Sequence, residues 1–174
     1  TPLETVAGWK MREGTLAVAS TAQRVRVMYA SSGYFPALGV RLVRGRPFQP
    51  AEDVGPGQHP VAIVSHGLWQ SSLGGRADVL GAVVTLDRVS YEVVGVAPET
   101  FRHHRTVEPP PDLWVPLTQH PLMAAPGEWA VDRSASWVEA LGRRQPGATE
   151  QQADAAVATF AARLAKEFPE TNRE

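Results

Sequence analysis

The sequence predicts an α+β fold, in which a mixed sheet built with hairpins is covered by packed helices. Three observations lead to this prediction. Apolar and polar residues alternate in several short segments, a two-residue turn at Asp87-Arg88 separates two of them, and apolar residues recur at helical spacing near the C-terminus. Strands joined by hairpins disfavour a regular parallel α/β sheet. We expect one domain over residues 1–174, since such a chain can bury about 70% of the surface that it exposes when unfolded.

The first predicted elements are two strands. Residues 16–20 and 24–31 have β-type patterns, and residues 21–23 join them. Alternation places Val25 and Val27 on one face of the second strand, and Arg24, Arg26 and Met28 on the other.

A short helix is predicted next, over residues 32–39. Ser32 stands at the position of an N-terminal cap, and Gly39 can adopt the left-handed conformation that ends many helices. We expect Tyr34 and Phe35 to attach this helix to the sheet.

A loop, a strand and a second helix follow. Residues 45–58 are rich in proline, glycine and acids, which predicts a loop with Phe48 as its inward anchor. Residues 60–65 predict a short buried strand, and residues 67–73 predict a helix that stops at Gly74-Gly75.

Residues 83–86 and 90–96 predict a hairpin about Asp87-Arg88. Alternation along its second strand places Tyr91, Val93 and Gly95 on one face, and Glu92, Val94 and Val96 on the other. Arginine adopts a positive φ less readily than glycine or asparagine. We therefore expect a turn other than the type with two central positive φ angles.

The last third combines a loop, a strand and a long helix. Three consecutive prolines at 109–111 predict that residues 102–112 form an exposed irregular loop. A strand is expected over residues 136–141, and a capping box of Thr149 and Gln152 starts a helix that the next proline ends. The apolar face of this helix consists of Val157, Phe160, Ala161, Leu164 and Phe168.

Composition excludes several classes of protein. Seventeen basic and 18 acidic residues leave a net charge of −1, and the basic residues are scattered, which disfavours nucleic acid as a partner. The absence of cysteine excludes disulfides and a thiolate zinc site. No segment approaches the ~20 apolar residues of a membrane helix. The missing initiator methionine and the abrupt ends predict a piece of a longer chain.

The pair Ser65-His66 is the best candidate for nucleophilic catalysis, with Asp53 or Asp87 as a third member. A catalytic reading is weak, because adjacent residues at a strand-to-helix junction point in different directions and no G-x-S-x-G motif surrounds the serine. We expect Ser65 to cap the helix and His66 to lie in its first turn.

Metal and cofactor sites are equally poorly supported. His103-His104, with His59 and His120 elsewhere, lack the spacing of a zinc site, and the glycines lack the order of a phosphate-binding loop. Glu52-Asp53 and Glu99 are interpreted as solvated surface charges. We therefore expect no catalytic residue, no cofactor-binding residue and no metal ligand.

The five tryptophans, at positions 9, 69, 114, 129 and 137, are the remaining candidates for a binding surface. Trp69 and Trp114 stand in apolar segments and are assigned to the core. Trp9 and Trp129 remain candidates for exposed aromatic residues of a binding surface.

Four segments and the C-terminal third occur in an informative order. The segments are SSGYFPALGVRLVRGRPF (residues 31–48), PVAIVSHGLW (60–69), VVTLDRVSYEVVGVAPETF (83–101) and DLWVPL (112–117). Together with residues 137–172, they resemble the extracytoplasmic (periplasmic) core domain of MacB-type and FtsX-like ABC transporter permeases, especially the family with duplicated halves.

The resemblance implies a fold and a function. The fold would be a porter-like lobe plus a smaller, variable, β-rich lobe. The domain would lie on the extracytoplasmic side of the bacterial cytoplasmic membrane, between two membrane helices of an integral membrane protein. It would be non-catalytic and take part in export or transmembrane mechanical coupling. Its partners would be a cytoplasmic ABC ATPase, reached through the absent membrane helices, and a second permease copy or half, with a periplasmic adaptor as a further candidate.

Two other hypotheses stay open from the residues. The domain could be an independent ligand-binding module for a peptide, lipid or glycan, using Trp9, Trp129 and the proline-rich loops at 45–58 and 105–116. A more remote alternative is a small serine hydrolase that uses Ser65 and His66.

Overall fold

The computed structural model describes residues 1–101, 103–104, 109–124 and 137–172. Within them the chain forms eight strands, four α-helices and two short 3₁₀ turns, at Pro50–Asp53 and Leu117–Gln119. The strands are β1 (Leu3–Val18), β2 (Thr21–Ala30), β3 (Arg44–Gly45), β4 (Val61–Val64), β5 (Val83–Leu86), β6 (Val89–Val96), β7 (Leu113–Pro116) and β8 (Glu139–Arg144). The α-helices are α1 (Tyr34–Leu38), α2 (His66–Ser72), α3 (Pro121–Ala124) and α4 (Glu150–Glu167). The predicted α+β class with a mixed sheet is confirmed.

The strands pair in a circuit that closes on itself. β2 lies beside β7, followed by β4, β6, β5 and β1, and β1 returns to β2 along a ten-pair antiparallel ladder from Trp9↔Ala30 to Val18↔Thr21. The β2–β7 and β4–β6 pairs are parallel, and the others in the circuit are antiparallel. We call these six strands the barrel. The first half of β1 also pairs with β8 on the edge that faces away from β2.

Alternation along the strands produces two apolar cores, one on each face of the sheet. The inner core fills the barrel, and α2 closes one end of it. Its strand residues include Leu16, Val25, Val27, Tyr29, Val64, Val84, Leu86, Tyr91, Val93, Leu113 and Val115. The outer core lies between the sheet, α1 and the loop around Phe48, and it includes Trp9, Met28, Tyr34, Phe35, Ile63 and Trp114.

The first strand and helix differ from the prediction in their starting points. β1 spans 16 residues, of which the alternating pattern identified only the end. The turn between β1 and β2 lies at Ala19-Ser20, whereas the prediction placed the connection at residues 21–23. Met28 faces away from Val27 as predicted but is fully buried, because the outer core covers its face. Helix α1 has Gly33 at its N-cap without a side-chain cap, so the prediction of a serine cap is wrong; Gly39 ends the helix with φ 67° as predicted.

Strand β6 corrects two predictions. A bulge at Val94 breaks the alternation, so Tyr91, Val93 and Val96 all face the inner core, whereas the prediction placed Val96 on the opposite face. In the preceding turn, Asp87 and Arg88 have φ of 47° and 73°. The turn therefore does have two positive φ angles, contrary to our expectation. The Thr15 N–H bond to Asp87 Oδ1, at 2.8 Å, holds it against β1.

In its described residues, 103–104 and 109–112, the proline segment is irregular as predicted but is not wholly exposed. His103 and Pro111 are buried, and the Arg26 Nε–H donates to Pro110 O at 3.0 Å. Leu113–Pro116 of the proposed contact loop is the buried strand β7. Strand β8 begins three residues later than predicted, and Ser136 lies outside the described residues.

Helix α4 has the predicted capping box. The Gln152 N–H donates to Thr149 Oγ1 at 3.2 Å, and the Thr149 N–H donates to Gln152 Oε1 at 2.9 Å. Its predicted apolar face is largely uncovered, because the side chains of Val157 and Phe160 are 55% and 53% exposed. No helix among the described residues is both long and apolar enough to cross a bilayer.

Candidate functional site

The Ser65-His66 junction serves a structural role. Ser65 is the N-cap of α2, and its Oγ accepts the Leu68 N–H at 3.1 Å. The His66 ring packs edge-on against Trp69, with centroids 5.3 Å apart. This arrangement matches the predicted cap and first-turn positions.

The carboxylates proposed as a third catalytic member make structural hydrogen bonds elsewhere. Both oxygens of Asp53 accept the Ser32 N–H, at 3.0 and 2.9 Å, and Asp87 accepts the Thr15 N–H. These bonds fix the start of α1 and the β5–β6 turn. The side chains named for a hydrolase are thus used in three separate local structures.

Glu52 is buried, which corrects its interpretation as a solvated charge. Its side chain forms an ion pair with Arg46 at 2.7 Å and accepts the Gln49 N–H at 2.7 Å. Burial raises the pKa of Glu52, but the Arg46 hydrogen bond, the Gln49 amide and nearby positive charge outweigh it, so the pKa lies below its ordinary value. The pair closes the 45–58 loop over the outer core.

The rings of His103 and His104, which lack the spacing of a zinc site in the sequence, lie close together in the structure. His103 has φ 73°, and this turn brings its Nδ1 to 3.4 Å from Nδ1 of His104. Nδ1 of His104 lies 3.0 Å from the Tyr34 hydroxyl, and its ring packs edge-on against Trp9. Among the described residues, no group of three or more His, Cys, Asp or Glu side chains is placed to hold a metal ion.

Trp9 belongs to the outer core and is 3% exposed, so the hypothesis of an exposed platform at this residue is wrong. Trp69 and Trp114 are buried as predicted. Trp129 lies outside the described residues. Sequence reasoning missed Trp9 because it belongs to the unrecognised first half of β1.

Sequence reasoning also missed a polar cluster at the barrel end opposite α2. The His120 ring packs edge-on against Tyr29 at 4.7 Å and stacks on Trp137 at 4.5 Å. Burial, and then the charges of Arg12 and Lys10, lower the pKa of His120 to about 4. The histidine is therefore neutral at pH 7. A sequence signal was absent, because these residues come from four distant segments.

Strand β8 and helix α4 form a distinct surface that we call the arm. β8 pairs with β1 from Leu3↔Arg144 to Trp9↔Glu139, and the Arg143 Nε–H donates to Ala37 O at 2.6 Å, at the end of α1. Among the residues of α4, all of which are described, only Ala153 is buried. The arm is thus attached to the barrel through β8, while α4 is exposed along most of its length.

Comparisons with known proteins agree on one family and one fold. The family described as MacB-like periplasmic core domain matches residues 1–160. The periplasmic region of MacB from Actinobacillus actinomycetemcomitans is similar in fold, with a TM-score of 0.67 and 12% identity, over 99% of this chain and 71% of that one. The extracellular domain of the noncanonic ABC-type transporter YknZ from Gram-positive bacteria has a TM-score of 0.66 and 15% identity, over 95% of this chain and 76% of that one. No curated protein matches the sequence.

Proposed function

The chain belongs to the family of MacB-like periplasmic core domains, and from this membership we propose that it acts as a mechanical element of an ABC permease. It is an extracytoplasmic domain of the MacB and FtsX-like permeases. Its role is to take part in export or in transmembrane coupling driven by a separate cytoplasmic ATPase. The partners are that ATPase, reached through the membrane helices of the parent protein, and a second permease copy or half, with a periplasmic adaptor as a further candidate.

The observation that carries this proposal is that one sheet is packed on both faces. Ile63 and Trp114 fill the outer core, while their neighbours Val64 and Val115 fill the inner core. Close-packed interiors transmit displacement as a unit because side chains have little free space. A barrel covered in this way suits rigid-body movement between two arrangements of paired domains.

The catalytic candidates add support of a different kind. Ser65 caps a helix, and Asp53 and Asp87 bind backbone amides. A mechanical role is consistent with these contacts, because each of the three side chains fixes the local geometry of the fold.

Distance measurements between spin labels in the parent permease, assembled with its ATPase in lipid nanodiscs, test the proposal. The chain contains no cysteine, so Gln58→Cys and Ser90→Cys introduce labels at exposed positions of the barrel and its loops. Distances are measured without nucleotide and with ATP bound to an ATPase variant that cannot hydrolyse it. A nucleotide-binding-deficient ATPase is the control.

We expect the distance between residues 58 and 90 within one domain to stay constant, while the distance between the two copies of residue 90 changes with ATP. An inter-copy distance that is the same in both states would overturn the proposal. So would a change within one domain as large as the change between domains.

A further inference from the structure

The barrel end opposite α2 contains a cavity of about 320 Å³. It is lined by Tyr29, Leu86, Asp87, Val89, Tyr91, Gln119 and Pro121. A groove of about 630 Å³, which includes Arg12 and Arg88, adjoins it through the shared residues Asp87 and Pro121. The cavity volume is at the lower end of the range for small-ligand sites, and the groove offers room for a longer ligand.

Gln119 is the most unusual residue in the cavity wall. It is 6% exposed, and its Nε2 has no hydrogen-bond partner among the described residues. A buried amide without a partner destabilises a fold, whereas an apolar side chain of similar size at this position would not. The glutamine is therefore explained better by a ligand that accepts its hydrogen bond than by packing.

The charged and polar groups around Gln119 favour an anion. Arg12 lines the adjoining groove and its positive charge acts on Tyr29, while Lys10 and Arg12 both act on His120, which packs against Tyr29. Burial raises the pKa of Tyr29 and of Tyr91, so both phenols keep their protons and can donate. Asp87, the acid of the cavity, already accepts the Thr15 N–H through Oδ1.

We propose that this cavity binds the carboxylate of a small ligand with an apolar body. The carboxylate accepts hydrogen bonds from the Gln119 amide and the Tyr91 hydroxyl and is paired with the charge of Arg12 at the cavity rim. The apolar body packs against Leu86 and Val89. Nε2 of Gln119 is enclosed in the cavity wall. Binding therefore requires the Gln119 amide to rotate and present Nε2 to the ligand. This site is separate from the mechanical role proposed above and does not depend on it.

Two ligand sources share this chemistry, the C-terminal carboxylate of a peptide and a free fatty or organic acid. The probes are therefore N-acetyl-leucyl-leucine, its C-terminal amide, hexanoate and 1-hexanol. Binding to the 174-residue chain is followed by NMR, through the side-chain amide of Gln119 and the backbone amides of Asp87 and Val89.

We expect both carboxylates to shift these signals saturably, and the amide and the alcohol to bind at least tenfold more weakly. Tighter binding of the dipeptide than of hexanoate identifies a peptide C-terminus, and the reverse identifies a free acid. Equal binding of the charged and uncharged probes, or no shift with any of them, would overturn the proposal.

Two variants separate binding from folding. Gln119→Met removes the amide at nearly constant volume, and we expect carboxylate binding to fall at least tenfold while the thermal midpoint stays equal or rises. Arg12→Gln, at an exposed position, should weaken binding without changing the midpoint. Arg41→Gln, an exposed arginine outside the cavity, is the matched control. A lower midpoint with unchanged binding in Gln119→Met would contradict the proposed role.

Discussion

Strands β7 and β8 belong to the same sheet but lie in different surroundings. All four residues of β7 are buried, because α1 and the Phe48 loop cover one face and the barrel interior covers the other. None of the six residues of β8, all within the described range, is buried. Hydrogen-bonded pairing alone therefore does not define the stable part of this molecule, which depends on packing from both sides.

The same contrast holds for the helices. Helix α2 has seven residues and buries Leu68 and Trp69 in the inner core, whereas α4 has 18 residues and buries Ala153. Most helical stability in proteins comes from tertiary packing of an apolar face. We therefore expect the barrel and the arm to respond very differently to matched substitutions.

Removal of an aromatic side chain from each region gives the largest expected contrast. Trp114 is 1% exposed and packs edge-on against Phe35 at 5.4 Å. Trp114→Ala should lower the free energy of unfolding by about 3–5 kcal/mol. Phe160→Ala in α4 should cost less than about 1 kcal/mol, because half of its side chain is exposed. Urea denaturation measures both, and equal losses would remove the distinction between barrel and arm.

His120 tests the joint between the two regions, since it contacts Tyr29 of the barrel and Trp137, which lies two residues before β8 of the arm. The unfolded chain binds a proton at this histidine near pH 6.5, whereas the folded chain does so only near pH 4. The fold therefore loses stability as the pH falls from 6.5 to 4. Relative to wild type, His120→Gln should lose about 1–2 kcal/mol less over that range. Parallel pH profiles would show that His120 is not held neutral by the fold.

Two helix caps provide a matched pair with smaller effects. Ser65→Ala removes the cap of α2 and should lower the global free energy of unfolding by about 1 kcal/mol. Thr149→Ala removes the cap of α4 by the same chemistry. We expect it to leave the urea midpoint unchanged and to reduce helical content only, as measured by circular dichroism. A shift in midpoint as large as that of Ser65→Ala would mean that α4 unfolds together with the barrel.

The β5–β6 turn should yield a small gain. Arg88 has φ 73°, a conformation that glycine adopts without steric cost. Arg88→Gly should raise the free energy of unfolding by about 0.5–1 kcal/mol, since Asp-Gly suits this turn. Arg41→Gly, at an exposed position elsewhere, controls for loss of an arginine. A destabilised Arg88→Gly variant would show that the arginine side chain matters more than the backbone.

Local sequence patterns predicted those elements that depend on interactions between residues close in the sequence. The hairpin at Asp87-Arg88, the strand at 60–65 and the capping box at Thr149 follow from alternation, turn residues and hydrogen-bonding side chains, and the structure confirms them. The closure of the barrel could not be predicted, because it depends on β1 pairing with β5 and on β2 pairing with β7, and these partners lie far apart in the sequence.

Burial was the quantity that the sequence predicted least well. Phe160 and Trp9 both carry large apolar rings, yet one is exposed and the other is buried by residues almost a hundred positions away. Glu52 is buried and its charge is paired with Arg46, which the composition of the loop does not indicate. The polar cavity around Gln119 is assembled from several strands and therefore left no motif.

Our main claim is that the barrel is one rigid unit and the arm is not. It is tested most directly by hydrogen exchange of the native chain at increasing urea concentrations, measured by mass spectrometry. Peptides that cover β4, β6 and β7 should exchange only through global unfolding, with one common free energy of opening. Peptides that cover α4 should exchange by local opening at a clearly lower free energy that urea hardly changes. A single free energy shared by α4 and the barrel strands, or separate openings for β4, β6 and β7, would contradict the account.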